Sequence, residues 1–239
     1  MRKKKTKQVY NQNTIVVDKK EFANKTVGFT RLKDNVLFII DGGKNKVLQI
    51  SSSVSGESKT TVACNLAVLL GQTDKKVCVL DLDFQKANDH RVFGTDNSKG
   101  LNEYMLETAT LDEIIQHTSY KNVDVLSRGD VIYNPSLVMI SDRFGKLMET
   151  LRERYDVIVV DTAPVLQTSD YIHVSKYSDA TIFLVATGKT KKAQVRDAIS
   201  ELKKNNVNII GTVLTFYDPK LSTNLSYYKG SYYYYYSNK

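Results

Sequence analysis

Three short stretches of this 239-residue chain bring together groups that handle phosphate. In SSSVSGESKTT, residues 51–61, a run of small residues leads into Ser55, Gly56, Glu57, Ser58, Lys59, Thr60 and Thr61. Small side chains let successive backbone N–H groups converge on an anion, a Lys reaches the phosphates, and the following hydroxyl can hold Mg²⁺. Lys59 and Thr60 occupy those positions, while Ser53 and Ser58 stand where the standard loop has glycine. In VCVLDLDFQK, residues 77–86, Asp81 and Asp83 are two positions apart, so on a strand both point to one face. Two such carboxylates are costly to bury unless a cation lies near them. In YDVIVVDTAPV, residues 155–165, Asp161 ends a run of four apolar residues, the setting of an acceptor for the water shell of Mg²⁺ in a nucleotide site. Each stretch alone also reads as a Ser-rich connector, a turn Asp or a helix cap. Three of them, each at the end of an apolar run, point to a Mg²⁺-nucleotide.

The elements needed to hold these groups recur along the chain. KVLQISSS (46–53) is a strand candidate, and TVACNLAVLLGQ (61–72) reads as a buried helix closed by Gly71. VCVLDLD, NVDVLSRG (122–129), YDVIVVD, DATIFLVAT (179–187) and VNIIGTVLTFY (207–217) are further strands. SLVMISDRFGKLMETLRERY (136–155) reads as one long helix, and TKKAQVRDAISELKKNN (190–206) as another. Val27, Phe29, Leu32, Val36 and Leu37 recur at helical spacing ahead of them. Strands alternating with helices predict an α/β fold with a doubly wound, mostly parallel sheet and helices on both faces. Ligands of such sheets lie at the carboxyl ends of the strands, where the three motifs fall.

The chain divides into a basic N-terminal arm (1–25), one α/β domain (26–219) and a tyrosine-rich tail (220–239). Charged residues at 25% and apolar residues at 41% fit a folded domain, and no run approaches the roughly 18 apolar residues of a membrane span. Arg2, Lys3, Lys4, Lys5 and Lys7 supply five of the eight net positive charges, so the domain itself is nearly balanced. Such an arm suits solvent or an anionic membrane face; no interleaved aromatics mark it for nucleic acid. Cys64 and Cys78 lie in apolar surroundings, as reduced, buried cysteines do. His90, His117 and His173 have neither ligand spacing nor an adjacent nucleophile.

The tail carries Tyr227, Tyr228, Tyr232, Tyr233, Tyr234, Tyr235 and Tyr236. As structure, such a row is a β-pairing hazard. With SGESKTTVACNLA, VLDLDFQK, DHRVFGTDNSKGLNEYM, YDVIVVDTAPV and GTVL, it makes the chain resemble the bacterial tyrosine kinases of capsular and exopolysaccharide systems, in their form with a separate membrane anchor. The resemblance runs from about residue 28 to the tail. It implies a deviant-Walker P-loop NTPase fold and a reaction that moves the γ-phosphoryl of ATP to tyrosine. Residues 55–61 would bind ATP; Lys59 would contact the phosphates; Thr60, Asp83 and Asp161 would hold Mg²⁺; and Asp81 would help deprotonate the attacking hydroxyl. The tail tyrosines would be the acceptors, largely those of a neighbouring subunit. Expected partners are a transmembrane co-polymerase adaptor that activates the kinase, further copies of the chain and a cognate phosphotyrosine phosphatase, with no nucleic acid. The expected location is cytoplasmic, at the inner face of the plasma membrane.

The sequence departs from the family pattern at several places. Ser58 replaces a glycine and Ser55 a proline; Gln85 replaces an Arg, with Lys86 beside it; and Thr215 stands where an Asn contacts the base. Val27, Thr30 and Lys33 fall where the family has the Glu and two Arg of its oligomer-forming helix, and the proline-rich loop is reduced to IYNPS (132–136). Two other readings therefore accompany the kinase: a kinase-like regulator that turns over ATP poorly, and a partitioning or cell-division ATPase of the same P-loop class.

Overall fold

The computed structural model describes residues 15–18, 23–40 and 46–217; the tyrosine cluster, the basic residues near the N-terminus and the 219/220 boundary lie outside them. After α1 (Ala23–Ile40) come β1 (Val47–Ser52), α2 (Lys59–Gly71) and β2 (Val77–Leu82). Three short helices follow, α3 (Asp89–Phe93), α4 (Leu101–Met105) and α5 (Leu111–Ile114), then β3 (Ile115–His117) and β4 (Val123–Leu126). The remainder is α6 (Pro135–Met139), α7 (Asp142–Arg154), β5 (Val157–Thr162), α8 (Asp170–Ser175), β6 (Ala180–Ala186), α9 (Lys192–Lys204) and β7 (Ile209–Thr215).

The strands form one sheet in the order β3-β4-β2-β5-β1-β6-β7, parallel throughout except for β3 against β4. β1, β2 and β5 are buried at every position, which is why β2 and β5 read as near-continuous apolar runs rather than alternating ones, although β1 also buries Gln49, Ser51 and Ser52. The antiparallel edge β3 was not anticipated, because three residues are too few to show a period. The long helix expected over 136–155 is two helices. Ser141 Oγ accepts from Phe144 N at 3.2 Å and so starts a new helix at Asp142. Phe144, Leu147, Met148 and Leu151 then form the buried stripe of α7, each worth roughly 1.5–3 kcal/mol in burial.

On the opposite face, α2 is buried almost all round and α1 packs over it through Val36, Phe29, Leu32 and Leu37. The arm expected over 1–25 is docked near its end: Ile15 is buried, and Val16 N and Val17 N donate to Asn65 Oδ1 of α2 at 2.7 and 3.2 Å. Among the described residues no helix is long and apolar enough to cross a membrane. Cys64 and Cys78 are free and buried, as expected.

Two features set the ends of the sheet. At the N-terminal ends of β1 and β6, Asp179 accepts from Lys46 N (2.7 Å), Val47 N (2.8 Å) and both Nη atoms of Arg152 (2.9 and 2.7 Å). At the other end, the chain after β5 is zipped to the chain after β1. Val165 N donates to Ser52 O at 2.9 Å and Leu166 N to Ser53 O at 3.1 Å.

Candidate nucleotide site

The register places the three motifs side by side. Asp161 of β5 pairs across to Ile50 of β1 on one side and to Asp81 of β2 on the other. The loop after β1 closes on itself through Val54 N, which donates to Glu57 Oε2 at 2.8 Å, and then enters α2. Gly56 has φ 84° and Ser58, the residue before α2, has φ 70° and ψ 30°. Both are left-handed, so the family's glycine at Ser58 answers a backbone requirement, and a serine there carries roughly 1–2 kcal/mol of strain. The helix forms regardless: Val62 N donates to Ser58 O at 2.9 Å.

Lys59 is buried at the first position of α2, and Thr60 Oγ1 donates to Asp161 Oδ2 at 2.5 Å. The other oxygen of Asp161 is buried with no partner among the described residues. Burial pushes the Asp161 carboxyl up to about 6, although Lys59 and the Thr60 hydroxyl pull it down. Asp83 keeps 7% of its surface and accepts from Lys86 N at 3.0 Å. Lys86 Nζ reaches Ser55 Oγ at 3.4 Å, so a basic group spans from the second motif to the first although Gln85 replaces the usual Arg.

Asp81, to which the resemblance gives a deprotonating role, is enclosed. It has no exposed surface, and its oxygens accept from Asp83 N (3.1 Å), Asn88 N (2.9 Å) and Asp89 N (3.3 Å), fixing the turn into α3. Burial pushes its carboxyl well above the ordinary value, and the neighbouring Asp161 pushes it further. Asp89, which the sequence reading did not single out, joins this cluster. It is fully buried, receives Cys64 Sγ at 3.5 Å and has one oxygen without a partner among the described residues. One oxygen from each of Asp81, Asp89 and Asp161 lies within 4.8 Å of the others. An Asp in the first turn of a helix ordinarily signals an exposed helix start, so nothing local marked it as buried.

Glu57, expected among the ATP-binding residues 55–61, turns its side chain away from the loop mouth. Its carboxylate points inward, accepting from Ala186 N at 3.0 Å and Thr190 Oγ1 at 2.5 Å, while its carbonyl accepts from Thr215 Oγ1 at 3.1 Å. The side chain braces the loop against the end of β6, and the Glu57 carbonyl ties it to the end of β7; its backbone N–H is the group left to face a phosphate. Thr215, expected at the base, is nearly buried with its hydroxyl turned toward Glu57. Lys33, in the helix position tied to oligomer formation, pairs with Asp34 at 2.8 Å.

The set of hard oxygen donors, Thr60, Asp83 and the half-satisfied Asp161, fits Mg²⁺, and the buried Lys59 at a helix N-terminus fits a phosphate. The AAA domain family matches residues 45–210, which span all three motifs. The tyrosine-protein kinase etk of Escherichia coli K12 is 32% identical over 196 residues, covering 82% of this chain and 27% of that protein. The chain thus spans about a quarter of the length of that relative. The tyrosine-protein kinase YwqD of Bacillus subtilis is 29% identical over 199 residues, 83% of each chain. Among solved structures, the chimerical protein CapA2B2 superposes with a TM-score of 0.79 at 28% identity, covering 84% of this chain and 88% of that one. With the motif geometry, these likenesses establish descent: the chain belongs to the AAA domain family and, within it, to the bacterial tyrosine kinases.

Proposed function

We propose that the chain is an ATP-dependent protein-tyrosine autokinase whose acceptors are Tyr227, Tyr228 and Tyr232 through Tyr236, and that it regulates capsular or exopolysaccharide synthesis and export. The observation that carries this reading is the contact between Thr60 and Asp161. It joins the hydroxyl after the phosphate-binding Lys to the strand-end carboxylate that still has a free acceptor. When bound there, Mg²⁺ would neutralise charge on the phosphate oxygens. Lys59 and the loop N–H groups orient the phosphates, and the reaction is carried by positioning and electrostatics rather than covalent catalysis. The deprotonating role of Asp81 requires the Asn88–Asp89 turn to move, since the carboxylate is enclosed.

Transfer between copies, activation by the cytoplasmic end of a membrane adaptor, reversal by a phosphotyrosine phosphatase and a cytoplasmic location at the plasma membrane belong to the same proposal. YwqD, which this chain matches over most of both lengths, is named a tyrosine-protein kinase, and that likeness supports the reading. In the test, purified chain is incubated with Mg-ATP and the adaptor segment and blotted for phosphotyrosine beside Lys59→Met. A signal confined to the unmodified chain is expected; no signal above the Lys59→Met control would sink the autokinase reading. One observation favours the weaker-kinase alternative. Ser58 holds a left-handed conformation that a glycine would take without strain.

A further inference from the structure

α9 carries a basic stripe that the nucleotide site does not use. Lys192, Arg196 and Lys203 recur at helical spacing on one flank, and all three are exposed. Among the described residues none of the three has an ion-pair partner, whereas Lys204 pairs with Glu201 at 2.7 Å. Arg196, Lys203 and Lys204 line an open depression of about 560 Å³ together with Ser200 and Ile199. Ile199 is half-buried and packs on the core beneath the helix, so the depression has an apolar floor, a hydroxyl and cationic walls.

The flank has a direction. Asn205, which caps the end of α9, donates to Tyr171 Oη of α8 at 3.4 Å, so that side of the helix faces α8. By helical spacing the stripe lies on the other side. α8 packs on β1 and β5, and the sheet runs β5-β1-β6-β7, so the stripe looks toward β7, the last strand. The chain leaves the sheet there. Lys189, just ahead of α9, holds its Nζ 3.4 Å from the Phe216 ring centroid, so the residues after β7 set out beside the start of α9. α9 is 13 residues long, about 20 Å. The stretch from Tyr217 to Tyr227 can extend roughly 33 Å, enough to bring Tyr227 and Tyr228 to the depression.

We propose that this flank of α9 is a docking site for phosphotyrosine, and that its occupant is the chain's own tail modified at Tyr227 or Tyr228. The inference deepens the autokinase reading and rests on it for the source of the phosphates. A guanidinium takes a phosphate through two parallel N–H bonds, an ammonium adds charge, and the tyrosine ring can lie on Ile199 and the Lys stems. A flat anionic membrane suits the helix less well, because the exposed Asp197 and the half-exposed Glu201 stand beside the stripe on its outward side.

The test uses a synthetic peptide of residues 220–231, phosphorylated on Tyr227 and Tyr228, and the full chain, dephosphorylated beforehand and free of nucleotide. Fluorescence anisotropy is expected to show the phosphopeptide binding about tenfold or more tighter than the unmodified peptide. Arg196→Gln with Lys203→Gln should weaken it about tenfold. Lys146→Gln with Lys176→Gln, which removes the same charge from exposed positions elsewhere, should not. Full chain already phosphorylated on its tail, by itself or by an added tyrosine kinase, should bind the peptide more weakly, because its own tail fills the site. Equal affinity for the two peptides, or no loss in the α9 variant, overturns the site. Undiminished binding by the phosphorylated chain overturns the tail as its occupant. Binding to vesicles of phosphatidylserine and phosphatidylcholine that the α9 variant loses, without binding of the phosphopeptide, overturns the site in favour of a membrane. Phosphopeptide binding by a chain that forms no phosphotyrosine of its own keeps the site and removes the autokinase reading instead.

Discussion

The two ends of the sheet treat carboxylates in opposite ways. At the N-terminal end, Asp179 is saturated: two backbone N–H groups and an Arg152 fork take up both its oxygens. Burial alone would raise its carboxyl, but Arg152 and the two N–H groups outweigh burial and hold it below the ordinary value. At the C-terminal end, Asp81, Asp89 and Asp161 are packed against one another, two of them with an oxygen lacking a partner among the described residues. Burial pushes all three up. The same residue type thus fastens the fold at one end and is held in tension at the other, and only the second arrangement has something to gain from a bound cation.

Asp161→Asn should break the comparison most sharply. Turnover is expected to fall on the order of 10²- to 10³-fold, as when a pre-organised electrostatic partner is removed, measured as phosphotyrosine formed per minute. Stability should move the other way in the metal-free protein. The folded carboxyl near 6 lies above its unfolded value of 3.8, so between about pH 4 and 6 the folded state holds a proton the unfolded state has lost. Asp161 therefore adds stability below that window and withdraws it as pH rises through 6. Urea unfolding at pH 5 and pH 7 with chelator should show a smaller difference in Asp161→Asn than in the unmodified chain; an unchanged difference would remove Asp161 from the account.

Asp179→Ala tests the other end. It leaves two N–H donors and Arg152 without their acceptor and should cost about 2–3 kcal/mol, read as a lower urea midpoint, with activity per folded molecule preserved. Its pH dependence has the opposite sign to that of Asp161: the stability Asp179 supplies is present above the ordinary carboxylate value and is lost only in acid, as pH falls through its lowered folded value. The smallest effect is expected at Ser58→Gly. Relief of the left-handed strain is partly offset by the entropy of glycine, so stability should rise by no more than about 1 kcal/mol, with nucleotide affinity improved by up to about fivefold in calorimetry. A loss of affinity would show that the Ser58 side chain contributes to the loop.

The sequence made the ends of β1, β2 and β5 legible because their chemistry is local: the Lys–Thr pair follows a run of small residues, and the spaced carboxylates and the lone Asp each close an apolar run. It made the parallel sheet legible for the same reason. The partners of Glu57 were not legible, since Ala186 and Thr190 lie 129 and 133 residues away and nothing near Glu57 announces them. Asp89 was hidden by looking like a helix start. The break at Ser141 was missed although its signal was present: Ser followed by Asp ahead of an apolar stripe is a helix N-terminus, and the apolar run before it obscured the boundary.

The clasp between residues 15–18 and α2 has a mechanical consequence. Asn65 receives Val16 N and Val17 N through one side-chain atom, and its amide nitrogen donates to Thr61 O at 2.8 Å, in the turn that opens from Lys59 and Thr60. A pull on the polypeptide ahead of Ile15 is therefore delivered to the first turn of that helix. Were those residues tethered, the tether would have a handle on the groups that grip phosphate, with Asn65 among its linkages.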